Sequence, residues 1–484
     1  MTAVPLMPAT GLDLRPGAMD IKGAFVRAEN LIVTPSGGLV RRPALHWRLR
    51  LPSTTAGLYA VGNQVRALAK HETTAAGLSP TIVLDYCESD VTGADILGQM
   101  VGSDGASLVL VKMPAGASEL HHCPPAGDDT GDSTKITFSG TPDYALIGLE
   151  SRAWALDAGL TKLWYSALDD ADPSKLETWG PGGGDATNEE GFESLGQYAA
   201  GAGMPRALAD FGGRLAVFFE AGMQVWKMDT DNTRYVKEST VAGVGCRFPR
   251  AIASIVGDVL LLTNAGIRSL TTVTQTLDPA EDAVGSKVDS LVNELANDTG
   301  ANPIAIYARR LGCFLLAFGR DMVCLSLTPG QKVHGFSTWR LPLPVHAMCE
   351  SAGKVWIRST DDVFSLEDDD ADDIDNIGGQ ADIPVRWETL GRRYPNGVMI
   401  SGVSITATED VRLQVVVDGR PSLAEDGGIM GSALSLPGRA PRPTWRSLGK
   451  MGRTVAVRGH DLATAAGYRI DDLGLDINPL GRSA

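Results

Sequence analysis

The feature that most restricts what this chain can fold into is a recurring hairpin. Four to six aliphatic, β-branched or aromatic residues lead into a turn containing Gly, Asp or Asn, and a second short apolar run follows. The unit occurs at 57–68, 95–111, 144–149, 152–156, 214–226, 258–270, 311–325 and 354–366. Its spacing of about 40–50 residues is that of one four-stranded propeller blade. Apolar stretches without alternation, such as 259–262, fit strands buried on both faces between neighbouring blades. An irregular set of β-sandwiches would use the same pattern and stays open here. The 56 Gly and 27 Pro are too many breaks for a helical bundle.

The expected class is therefore all-β, with three parts. Residues 1–50 read as an N-terminal arm with an interface strand, 51–373 as a β-propeller, and 374–484 as a smaller β-sandwich-like domain. Alternation is cleaner in the last part, at 403–408 and 411–420, as expected for sheets with one wet face. One segment breaks the theme. Over 287–298, Val288, Leu291, Val292 and Leu295 share one helical face. Ser286 and Asp289 have the spacing of a capping box, and Gly300 is placed to stop the helix.

Charge excludes one large class of function. The chain carries a net charge of −15, whereas gripping phosphate requires clustered cations that displace counterions. Residues 1–50 hold seven cations and three acids, and the surplus of acid, 43 against 23, lies in 51–373. The six cysteines, Cys87, Cys123, Cys246, Cys313, Cys324 and Cys349, show no CxxC spacing. They read as reduced, buried thiols made in a reducing cytoplasm. The opening segment has no apolar core of a secretion signal, and no stretch is long enough to span a membrane.

The search for chemistry yields little. In the acidic run 367–382, Asp368, Asp370 and Asp372 hold positions 1, 3 and 5 of a calcium loop. Position 6 is Asp373 rather than Gly, and position 12 is Gly379 rather than Glu. With Asp369, these residues read as a solvated acidic loop, a candidate for a channel-lining surface. His121 and His122 are adjacent and would point to opposite faces of a strand. The glycines at 180–184 have no Lys or helix behind them, and no nucleophile elbow or phosphate-binding loop appears. Nothing marks the paired carboxylates of a glycosidase. No catalytic residue, metal or cofactor is expected, and the chain reads as no enzyme.

One resemblance cuts across these observations. The stretch 30–43, Asn-Leu-Ile-Val-Thr-Pro-Ser-Gly-Gly-Leu-Val-Arg-Arg-Pro after Gly23, resembles the opening of the tail nozzle proteins of short-tailed bacteriophages. These are also called tail tubular protein B or packaged-DNA stabilisation proteins. Ser166, Asp172-Pro173 and Trp179, the segments 231–234, 243–249 and 264–268, and 387–393 are similar too. The resemblance implies a structural virion protein in the phage tail, a homo-oligomer forming a six-fold ring. That ring would lie below the head-to-tail adaptor and meet tail fibre or tail plug proteins. It would retain packaged double-stranded DNA and form the channel for its ejection without binding it specifically.

The motif residues Asn30, Gly37, Gly38, Arg41, Arg42 and Pro43 also have a plain structural reading. The glycines permit a turn, Pro43 ends a ladder, and the arginines pair with acids of a neighbouring blade or subunit. Acids from the middle of the chain are expected to face the channel, where they would repel phosphate. The alternative is a carbohydrate-binding or glycan-cleaving propeller acting as a receptor-binding tail protein.

Overall fold

The recurring hairpins close through tight turns whose backbone twist matches that of their strands. Between Ser351 and Lys354, Ala352 (φ 52°) and Gly353 (φ 73°) both lie in the left-handed region, the geometry of a two-residue I′ turn. Glu150 and Ser151 do the same between Leu149 and Arg152 without a glycine.

The computed structural model describes residues 2–7, 11–15, 24–70, 82–103, 105–114, 117–125, 133–136, 142–157, 162–167, 179, 191–195, 202–228, 235–255, 257–271, 284–298, 302–327, 333–368, 372–374, 379–408, 411–418, 420–421, 434–436, 444–461 and 468–480. These residues form seven blades. Their innermost strands are Thr55–Val61, Asp95–Val101, Pro142–Leu149, Pro205–Asp210, Ile252–Ile255, Ile304–Ala308 and Ala347–Ser351. Each touches the next in that order, and the last touches the first, so the ring is closed. The chain is a β-propeller, and the sandwich-only alternative falls away.

Closure draws on both ends of the propeller sequence. Blade 7 consists of Ala347–Ser351, Lys354–Ser359 and Asp362–Glu367, and its fourth strand is Ala44–Arg50, paired antiparallel to Asp362–Glu367. A strand more than 300 residues upstream thus locks the ring. Blade 5 has three described strands, and a helix, Asp289–Asn297, packs against the third of them, Gly266–Ser269. Val288 and Val292 are fully buried on its inner face, as the periodicity predicts. The expected capping box does not form. Val288 is the N-cap, with no side-chain cap bond. Asp289 instead accepts the Ile267 N–H (3.2 Å) and an Arg268 Nη1 hydrogen bond (2.9 Å), tying the helix to blade 5.

The C-terminal part is built on the long strands Arg392–Ala407, Thr444–Asp461 and Arg469–Pro479. The first fifty residues, expected as an arm, are divided between the two parts. Thr2–Pro5 pairs with Arg469–Pro479, and Ala24–Glu29 pairs with Val385–Thr389 while touching blade 6 at Thr338. The boundary expected at 373/374 falls inside the strand Asp372–Ile374, which pairs with Gln380–Asp382 and meets Ala44–Arg50 at His46. The interior holds Trp154, Trp164, Trp339 and Trp387, each at most 2% exposed, as apolar strand contexts imply for this residue. All six cysteines are buried and unbridged.

Candidate functional site

The residues that carry the motif at 30–43 converge on a buried knot. Asn30 adopts φ 57°, a conformation its short amide side chain tolerates. Its Oδ1 accepts from Arg42 Nε (3.1 Å) and from the Arg340 backbone N–H (2.9 Å), and its Nδ2 donates to Pro384 O (2.8 Å). Arg42 grips Asp373 through both terminal nitrogens (3.0 and 2.5 Å) and donates to Pro43 O (2.8 Å). Asp373 also accepts the Leu45 N–H (2.7 Å). The Arg42 and Asp373 side chains are only 1% and 6% exposed.

Gly37 takes φ 83° in the turn after Thr34. Gly38 has no positive φ; a Cβ there would stand 3.0 Å from Ile470 O, so it serves close approach to the C-terminal sheet. Arg41 is buried, and its backbone N–H donates to Tyr468 O (3.2 Å).

The acidic run differs from the expected solvated loop. Asp373 is an interior residue, because strand pairing at 372–374 turns alternate side chains inward. It is neutralised by Arg42 and cannot line a channel. Asp372 is half-buried, Asp368 is exposed and paired with Arg310 (2.8 Å), and Asp369 and Asp370 lie outside the described residues. So do 168–178 and 231–234 of the family-like segments. Two of the others sit in packing contacts. Gly245 lies against the Glu220 backbone, and Trp387 packs edge-on to Phe25 with ring centroids 6.3 Å apart.

The seven inner strands enclose a central shaft of about 390 Å³. Its wall mixes aliphatic side chains, among them Ile96, Leu146, Ile252 and Ile306, with the polar Gln99, Ser254 and Arg309. At one end stands Glu350, whose carboxyl is raised by burial against the opposing Arg309 N–H and guanidinium. At the other end the shaft opens into a mouth of about 500 Å³ that several charged and polar side chains border.

Arg250, from the entry to blade 5, reaches across this mouth. It donates to Asp95 Oδ1 of blade 2 (2.6 Å) and to His346 O beside blade 7 (2.6 Å). Burial pulls its basicity down, and Asp95 opposes that. Arg358 donates to the carbonyls of Thr360 (2.6 Å), Gly57 (3.0 Å) and Thr55 (3.0 Å). Asp361 lies between Arg358 (3.7 Å) and Arg50 (3.9 Å).

Asp95 and Glu350 lie at opposite ends of the shaft. Ala347 lines both cavities, and Glu350 is three residues further along its strand, about 10 Å at strand rise. A third polar group is sealed inside blade 1, where Tyr59, Arg66 and Asp85 bond one another beside Cys123. Burial raises the Asp85 carboxyl and Arg66 opposes it. Among the described residues no group of three His, Cys, Asp or Glu side chains is placed to hold a metal ion.

Sequence reasoning missed the mouth residues entirely. Asp95 begins an inner strand, His346 immediately precedes another and Arg250 stands two residues before a third, so a polar residue at the start of an inner strand was the available signal.

No protein-family model matches the chain, and no curated protein matches it. Among solved structures the chain is similar to an exo-β-1,3-galactanase from Phanerochaete chrysosporium crystallised with β-1,3-galactotriose. The identity is 11% over 79% of this chain and 95% of that one, with a TM-score of 0.27. The expectation that the chain is no enzyme is corrected here, because this neighbour is a glycoside hydrolase and the propeller class does not exclude one.

Proposed function

We propose that the chain is a structural subunit of a phage tail nozzle. It assembles as a six-fold ring below the head-to-tail adaptor, and packaged DNA is retained and later ejected through that ring. The observation that supports this reading most is the knot of Asn30, Arg42 and Asp373. The segment that resembles nozzle proteins is the one that fastens the propeller to the C-terminal sheet. Head-to-tail contacts close into a ring only when each subunit holds a fixed angle between its contact surfaces, and a buried bidentate pair at the seam supplies that stiffness. The propeller's own shaft is far too small for a duplex, so the conduit lies between copies. The acid surplus of 51–373 then suits a wall that repels phosphate. Tail fibre or plug proteins would dock on the ring's free end in the virion.

Native mass spectrometry and electron microscopy of the chain, alone and with a portal–adaptor complex, test the reading. A closed ring of six copies is expected on the adaptor. A chain that stays monomeric in both conditions overturns the proposal, and a strongly basic bore in an assembled ring overturns the repulsion argument.

A second reading, a propeller that handles carbohydrate, is favoured by one observation: donors and acceptors from blades 2, 5 and 7 gather at the shaft mouth. Binding of a glycan panel to the monomer is its test, and no binding to any member sinks it.

A further inference from the structure

We propose that the mouth of the propeller shaft is a binding site for an uncharged sugar, held through Asp95, Asp361, Asn302 and His346. This deepens the second reading above and rests on it.

The cavity of about 500 Å³ has the size of a small-molecule site. Its lining carries two carboxylates, two guanidiniums, an amide and an imidazole, together with the hydroxyls of Thr92 and Thr360. What matters is which of these groups are already committed. Arg358 is held by bonds to three backbone carbonyls, and Arg250 by bonds to Asp95 and His346 O. Each guanidinium already stands beside a carboxylate, Arg250 at 2.6 Å from Asp95 and Arg358 at 3.7 Å from Asp361, so neither presents an unmatched charge to an anion.

The acceptors and the small donors remain open. Asp95 is 41% exposed, and its second oxygen has only the long 3.4 Å contact to Asn302 Nδ2. Asp361 has its guanidinium neighbours at 3.7 and 3.9 Å, beyond hydrogen-bond range. His346 Nδ1 accepts the Thr360 N–H (2.7 Å), which fixes the proton on Nε2, and that N–H has no partner among the described residues. A sugar hydroxyl both donates and accepts, so carboxylate acceptors beside an imidazole donor and an amide match a ring of hydroxyls. The two carboxylates and two guanidiniums cancel in charge, leaving no net attraction for a charged ligand. The lining contains no Phe, Tyr or Trp ring for a sugar to stack on, so recognition is by hydrogen bonds and affinity is modest.

The test uses the full chain with galactose, glucose, N-acetylglucosamine, galacturonate and glucuronate, followed by saturation-transfer NMR and calorimetry. Neutral hexoses are expected to bind and the uronates to bind no better. Asn302→Ala, a change at an exposed side chain, and His346→Ala are each expected to weaken binding by about tenfold, the loss of roughly one hydrogen bond.

If the wild type binds hexoses and both variants bind as well as it does, the site is wrong while the carbohydrate reading survives. Tighter binding of uronates overturns the uncharged class. No binding of any of the five sugars overturns the site and the carbohydrate reading together.

Discussion

Removing Asp373 is the sharpest test of the knot that joins the two parts of the molecule. Asp373→Ala deletes both charge-assisted bonds from Arg42 (3.0 and 2.5 Å) and the acceptor of the Leu45 N–H (2.7 Å). The guanidinium keeps Asn30 Oδ1 and Pro43 O but stays 1% exposed, with no counter-charge. Stranding one member of a buried pair costs about 3–5 kcal/mol. Urea unfolding followed by tryptophan fluorescence reads this as a lower midpoint at unchanged slope. The double variant Arg42→Met with Asp373→Leu removes the buried charges together and is expected to recover most of the loss. That non-additivity is what a double-mutant cycle detects. A loss below about 1 kcal/mol for Asp373→Ala, the range of an exposed ion pair, would refute the account of a sealed interaction.

Three further perturbations probe the blades and the thiols. Despite partial burial, Lys354, Ser365 and Arg48 hold the Glu367 carboxyl down from its usual 4.5 to about 2. Its folded pKa is the depressed one, so its stabilisation is complete above pH 4.5 and fades as pH falls toward 2. Glu367→Gln should therefore flatten the acid limb of a plot of unfolding free energy against pH by about 1–2 kcal/mol after solvent screening. Gly245→Ala would drive a Cβ to 1.9 Å from the Glu220 carbonyl oxygen, where backbone must move. A cost of about 2–3 kcal/mol in urea unfolding is expected, and a neutral effect would show the blade contact to be wrong. The six thiols are buried, and burial raises Cys87 to about 11 and Cys246 and Cys349 to about 12. A thiol reagent at pH 8 should leave the folded chain unlabelled and label all six after denaturation; rapid labelling of the native protein would contradict the packing.

Much of the architecture was legible in the residues because the relevant forces act locally. Apolar runs between turn residues at 57–68, 258–270 and 354–366 specify hairpins wherever they sit, and repetition of that unit leaves each small sheet two faces to bury. Val288 and Val292 pointed inward because helical spacing alone places them on one face. Trp154, Trp226 and Trp356 went to the interior for the same kind of reason, being large rings inside apolar strands.

What the tertiary structure decided depends on partners far away in sequence. Asp373 reads as one more member of an acidic run, yet a shift of one residue in strand register would send it to solvent and its neighbour inward. Its burial is set by Arg42, 331 residues earlier. The Asp289 carboxylate, expected to cap its own helix, is drawn instead to Arg268 by the packing of that helix on blade 5. The shaft mouth is the extreme case, since Arg250 meets groups 155 and 96 residues away. Local sequence fixes which strands form, but only closure of the ring brings the ends of blades 2, 5 and 7 to one point.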